Sequence, residues 1–297
     1  MNRNTLHIKE IPENQENARK STIVSVVVNL FLTLMQVTVG IIAGSQGLIA
    51  DGIHSLSDLV ADFVVLLANH HSSKDADLEH PYGHLRFETA ASLILGLLLF
   101  IVGMGMLWSS TAKLRVPADI APVQMVALWV ALGALAIKEG LFRYMLAVAK
   151  RLRSTMLVAN AWHARSDAAS SLVVAIGIAG SLMGFPLLDP VTALIVGLMV
   201  VKMGWKFTWD ALNDLMDHAI SEEELVGIRD TLLGTPGVLG IHNLKTRKMG
   251  DMVLLDVCLK VNGNQSVRDG HAITEEAKKR VMDGFRVLDV MTHIDPV

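Results

Sequence analysis

From Thr22 to Thr208 the chain is a succession of long apolar runs separated by short polar breaks, and runs of that length dictate their own solvent. In hydrocarbon no water is present to bond backbone N–H and C=O groups, so a spanning segment satisfies them internally as a helix. About 20 mainly apolar residues are needed to cross. Six segments qualify, at approximately 22–43, 47–70, 87–111, 122–146, 156–183 and 189–211. Composition agrees: 52% of residues are hydrophobic, 19% are charged, and mean hydropathy is positive, unlike an ordinary soluble domain. The expected membrane part is an all-α six-helix bundle over residues 21–212.

An even number of spans puts both termini on one side. Lys and Arg favour the cytoplasmic side of short loops, and Arg19 with Lys20, Lys74 with Arg86, and Lys150, Arg151 and Arg153 all fall together. The other side has the uncharged "AGSQG", a segment with Lys113 and Arg115, and "GFPLLDP". Both termini are therefore expected in the cytoplasm. Residues 1–20 are polar, lack the order of a secretory signal, and read as a retained mobile tail.

From Asn213 onward the pattern changes to that of a water-soluble domain, 213–297. "SEEELVGIRDTLL" opens with a capping box, Ser221 followed three residues later by Glu224, and predicts a helix. Two alternating stretches joined by Gly250 and Asp251 read as a hairpin. "SVRDGHAITEEAKKRVMDGF" reads as a second helix and "VLDVMTHIDPV" as a closing strand. The order α, β, β, α, β gives a small α+β domain with helices on one face of the sheet. A net charge of −3 contains no basic footprint for nucleic acid, and the single Cys258 leaves no internal disulfide.

The ionisable residues inside the apolar runs carry the chemistry. His54 and Asp58 in the second span, and His163 and Asp167 in the fifth, share an i, i+4 spacing that stacks each pair on one helix face. One such pair arises readily by chance. Two, in different spans, are another matter, because an ionisable group in hydrocarbon costs at least a few kcal/mol and needs compensation. Each His could simply pair with its own Asp to orient the bundle. Alternatively the two helices meet, and two imidazoles and two carboxylates close on one cation; that set suits Zn2+, with Fe2+, Co2+ and Mn2+ also compatible. Asp51 and Asp62 read as structural or path-lining.

Two further clusters lie outside the spans. In the loop "KDADLEHPYGHLRFE", Asp77, His80 and His84 fall within eight residues around a Pro81/Gly83 turn, and fit either a solvated surface or a ligand set. In the soluble domain Cys258 alternates away from the apolar face of its strand, and His293 and Asp295 lie two apart on one side of theirs. His242 and His271 could join them in a metal site, or each could be an ordinary surface or core residue.

With these residues in view, the chain resembles the cation diffusion facilitator family of metal-proton antiporters along nearly its whole length. The resemblance is carried by "GSQGLIADGIHSLSDLVADF", "HPYGHLRFE", "ANAWHARSDAASS", "DPVTALIVGLMV" and "IHNLKTRKMGD". It implies a homodimer of six-helix protomers, each with a ferredoxin-like cytosolic domain that binds regulatory metal. It also implies a transport site of His54, Asp58, His163 and Asp167, a loop site of Asp77, His80 and His84, and a cytosolic site of His242, Cys258, His271, His293 and Asp295. Arg86 and Asp217 match a pair that interlocks the membrane and cytosolic parts. His54 stands where well-known bacterial zinc and cadmium members have Asp and many zinc-selective members have His, which points to Zn2+. The short "AKRLRS" lacks the His-rich insertion of vesicular relatives, which points to a bacterial inner membrane.

The expected function is therefore proton-coupled efflux of a divalent transition metal. Metal and protons are its cargo, and no cofactor is expected. One alternative is a metal-sensing membrane protein without transport. An intramembrane metalloenzyme fits less well, since four converging ligands leave no open coordination position for an activated water.

Overall fold

The computed structural model describes residues 3–72, 74, 76–116, 120, 122–152 and 155–297; the side chains of residues 3–19, 21–22, 62, 65–66, 69–71, 152, 155–157 and 159–160 lie outside the description, and with them Asp62. Six long helices come first: α1 Arg3–Ala43, α2 Gln46–Ser72, α3 Arg86–Arg115, α4 Met125–Leu152, α5 Thr155–Leu182 and α6 Leu188–Leu215. The backbone of residues 3–20, expected as a mobile tail, is the helical start of α1. Among the described residues four helical stretches are long and apolar enough to cross a membrane: Ile23–Ala43, Arg86–Arg115, Met125–Arg151 and Leu188–Leu215. The ionisable helices α2 and α5 are not among the four.

Two compact units make up the chain, Met1–Phe63 with Leu98–Trp205, and Val64–Leu97 with Lys206–Val297. In the first, Leu48, Val174, Ile178, Val196 and Val200 are fully buried between α2, α5 and α6. Small residues bring the helices close, as interhelical packing without a hydrophobic driving force requires. A Cβ on Gly52 would stand 2.7 Å from Val37 Cγ2, and one on Gly103 would stand 2.7 Å from the backbone nitrogen of Val201. Outward-facing Phe31, Ile41, Ile101 and Trp129 remain more than three-fifths exposed, an apolar surface suited to lipid.

The start of α2 is held from a distance. Asp189, at the start of α6, accepts hydrogen bonds from Gln46 N at 2.6 Å, Gly47 N at 3.2 Å and Ser45 Oγ at 2.6 Å. Ser45 Oγ in turn accepts from Leu48 N at 3.1 Å. The first-turn amides of a helix have no intrahelical acceptor, and here a buried carboxylate from another helix serves them.

The second unit contains the α+β domain, with α7 Glu222–Leu233, β1 Gly240–Met249, β2 Met252–Val261, α8 Val267–Gly284 and β3 Val287–Pro296. The strands lie in the order β1, β2, β3, with β1 antiparallel and β3 parallel to β2. Met249 pairs with Met252 across the Gly250/Asp251 turn, and Gly250 takes φ 61°, a conformation glycine adopts without strain. Ser221 and Ser266 cap α7 and α8 by accepting from Glu224 N and Asp269 N. Ile228 and Leu232 of α7 and Ala277 and Val281 of α8 bury Leu255, Val257 and Leu259 of β2. The opposite set on β2, which includes Cys258, is left off that core.

Candidate metal centres

On α2, His54 is buried and Asp58 lies one turn on, with His54 Nδ1 3.7 Å from Asp58 Oδ2. That nitrogen has no hydrogen-bond partner among the described residues despite its burial. Asp167 of α5 completes a group in which each residue offers one ligand atom within 4.8 Å of the other two. Two helices far apart in sequence thus present an imidazole and two carboxylates to one point. His163, one turn before Asp167, is exposed and stands outside the group. The structure thus brings together three of the four residues expected there.

The three loop residues also lie close together. Asp77, His80 and His84 form a second group within 4.8 Å; His80 Nδ1 lies 3.5 Å from Asp77 Oδ1, and His84 Nε2 3.5 Å from Asp77 Oδ2. Asp77 Oδ1 accepts from His80 N at 2.7 Å and Glu79 N at 3.0 Å. These backbone amides, His80's foremost, hold the Asp77 carboxyl below the usual carboxylate range. Gly83, at φ 80°, closes the turn by donating to His80 O at 2.9 Å. The His80 and His84 rings lie 4.5 Å apart, and His84 stacks on Phe87.

In the α+β domain, His242, Cys258 and His293 form a cross-strand row, since His242 pairs with Cys258 on one side and Cys258 with His293 on the other. Asp295 bridges the outer two, its Oδ2 3.0 Å from His242 Nε2 and its Oδ1 3.4 Å from His293 Nε2. His242, Cys258 and Asp295 each offer one ligand atom within 4.8 Å of the other two. An irregularity in β1 after His242, where Asn243 adopts φ 50°, separates His242 from the regular ladder. His271 does not join them. It is exposed on α8, the helix that packs on the other face of the sheet, where Gly270 abuts Ile294.

Arg86 and Asp217 do meet: Arg86 Nη2 donates to Asp217 Oδ1 at 2.5 Å, and Arg86 Nε donates to Met249 Sδ at 3.1 Å. Motif reading overlooks one more charged group, Lys138 of α4. It is 2% exposed and 3.4 Å from both oxygens of Asp51. The signal for it is an ionisable residue within an apolar run, here the Lys138–Glu139 step of α4.

Two family models cover the chain almost end to end. The cation efflux transmembrane domain matches residues 22–216, and the cation efflux protein cytoplasmic domain matches 220–297. Metal tolerance protein C1 of Arabidopsis thaliana is 33% identical over 98% of this chain, which spans 65% of that protein's length. Magnetosome protein MamB of Magnetospira is 32% identical over 91% of this chain and 92% of its own. The manganese efflux system protein MneS of Bacillus subtilis is 28% identical over 95% of this chain and 97% of its own. With both of its domains matched in order, the chain belongs to the cation efflux family, the cation diffusion facilitators, whose members transport divalent metal cations.

Proposed function

We propose that the protein is a proton-coupled exporter of a divalent transition metal, loading its cargo from the cytoplasm at His54, Asp58, His163 and Asp167. The observation that carries this reading is the convergence of a buried His54 with half-buried Asp58 and Asp167 from two helices. His163 completes it when its side chain turns inward, giving two nitrogens and two oxygens. That donor set fits Zn2+ first, and Fe2+, Co2+ and Mn2+ next; the last gains weight from a relative named for manganese efflux.

Coupling follows from the ligands themselves. An imidazole must be neutral and a carboxylate ionised to hold metal, so arrival of the ion expels protons and departure readmits them. In this reading the chain crosses the inner membrane of a bacterial cell six times, α2 and α5 carry the site within the bilayer, and both termini lie in the cytoplasm; the Lys and Arg bias of the short connections supports that orientation. Rocking of helices around it gives alternating access.

The protein acts as a homodimer through its cytosolic domains. Asp77 with His80 and His84, and His242 with Cys258, His293 and Asp295, bind cytosolic metal and report its concentration. His271 contributes only where another surface is brought to it. Arg86 with Asp217 fixes the loop and the base of α3 against the segment after α6.

The test is reconstitution into proteoliposomes with an imposed pH gradient. Metal accumulation that follows the gradient and collapses with an uncoupler is expected. Metal binding without flux would replace the transporter by a sensor.

A further inference from the structure

Asp51 and Lys138 form the most deeply buried ion pair among the described residues, with side chains 1% and 3% exposed. Neither belongs to the ligand group. Burying two charges costs several kcal/mol per ion unless each is well satisfied, and both are. Lys138 Nζ donates to Ser171 Oγ at 2.7 Å, to Ser55 Oγ at 3.1 Å and to Asp51. Asp51 also accepts from Gln36 Nε2 at 2.5 Å, Ser171 Oγ at 2.6 Å and Ser170 Oγ at 3.2 Å. Four helices, α1, α2, α4 and α5, therefore converge on one ion pair.

Its placement relates it to the cargo. Asp51 is one turn before His54 and Ser55 directly follows that ligand, while Ser170 and Ser171 lie one turn after Asp167. The pair thus grips both ligand-bearing helices.

A divalent ion with two ionised carboxylates and neutral imidazoles is electrically balanced. Asp51, one turn from His54, is a third carboxylate that would leave the loaded site one charge negative. In a medium of low dielectric such an imbalance is not screened. We infer that Lys138 is a built-in counter-cation, a positioning residue that keeps Asp51 away from the transported ion and holds the loaded site neutral, and thereby sets its affinity and metal preference. The inference rests on the transport site proposed above. An unneutralised third carboxylate would favour harder, oxygen-preferring cations such as Mn2+ over Zn2+, and would slow release.

The experiment measures Zn2+ and Mn2+ affinity of the full-length protein in nanodiscs by calorimetry, counting only binding that Asp58→Asn removes. Lys138→Met should tighten that binding by about tenfold or more, with a larger gain for Mn2+, as expected for one unit charge facing a dication at an effective dielectric near 20. Asp51→Asn, which leaves the ammonium without its carboxylate, should weaken it by a similar factor. The double variant Asp51→Asn/Lys138→Met should return toward wild type.

Opposite signs with rescue are not produced by a merely structural pair. Equal losses in both single variants, unchanged metal preference in Lys138→Met, or single variants that fail to fold while the double variant folds with wild-type affinity and preference would each overturn the inference. If Asp58→Asn in the wild-type background removes no binding, the transport site itself is overturned instead, whatever Lys138 does.

Discussion

His54 Nδ1 and Asp58 Oδ2 stand 3.7 Å apart on adjacent turns of α2, beyond hydrogen-bond reach. Two ligand atoms sharing a tetrahedral Zn2+ at ordinary bond lengths are separated by about 3.3 Å. A small side-chain adjustment converts one arrangement to the other. Asp58→Ala and Asp167→Ala are each expected to abolish metal flux in proteoliposomes while leaving thermal unfolding near wild type. Wild-type flux in either would remove the proposed site.

The loop offers a test by pH. Asp77 has its carboxyl held below the usual range, chiefly by the His80 amide. A depressed folded value means the loop's stabilisation is complete above the ordinary carboxylate pKa and is lost progressively as pH falls from there through the lower, folded value. Hydrogen exchange at the His80 amide should be slowest relative to Asp77→Ala above the ordinary carboxylate range, and that protection should fade as pH drops through it. In Asp77→Ala it should be fast throughout.

Leu255 lies fully buried at the centre of the sheet domain, packed among residues of α7 and α8. Leu255→Ala is expected to cost about 2–5 kcal/mol through the lost side chain and the cavity, a large share of what a domain of this size holds. Hydrogen-exchange mass spectrometry of the whole chain should show β1 to β3 losing protection while α4 and α5 keep theirs.

The Arg86–Asp217 pair is nearly half exposed on both sides, so its contribution to stability is about 0–1 kcal/mol. Charge reversal at either residue alone is expected to reduce transport with little change in unfolding temperature. Reversing both, Arg86→Asp with Asp217→Arg, should recover flux. If it does not, the pair has no interlocking role.

Much of this was legible because helical and strand periods convert spacing into geometry. His54 and Asp58 must share a face of α2, Ser221 and Glu224 mark the start of α7, and Gly250 with Asp251 turns the hairpin. What spacing cannot supply is the rotation of one element against another. His163 shares its helix face with Asp167, yet α5 is turned so that only Asp167 reaches the group. His271 belongs to a helix whose burial pattern places it across the sheet from Cys258. Lys138 is 87 residues from its partner Asp51, and nothing local announces the match.

A helix whose first turn is served by a carboxylate from another helix cannot swing freely at that end. With Asp189 gripping Ser45, Gln46 and Gly47, the beginning of α2 behaves like a hinge pin shared with α6. Displacement then grows with distance from Ser45, and His54 lies about 14 Å along the axis from it. A modest tilt there moves the imidazole by ångströms while the pin stays still.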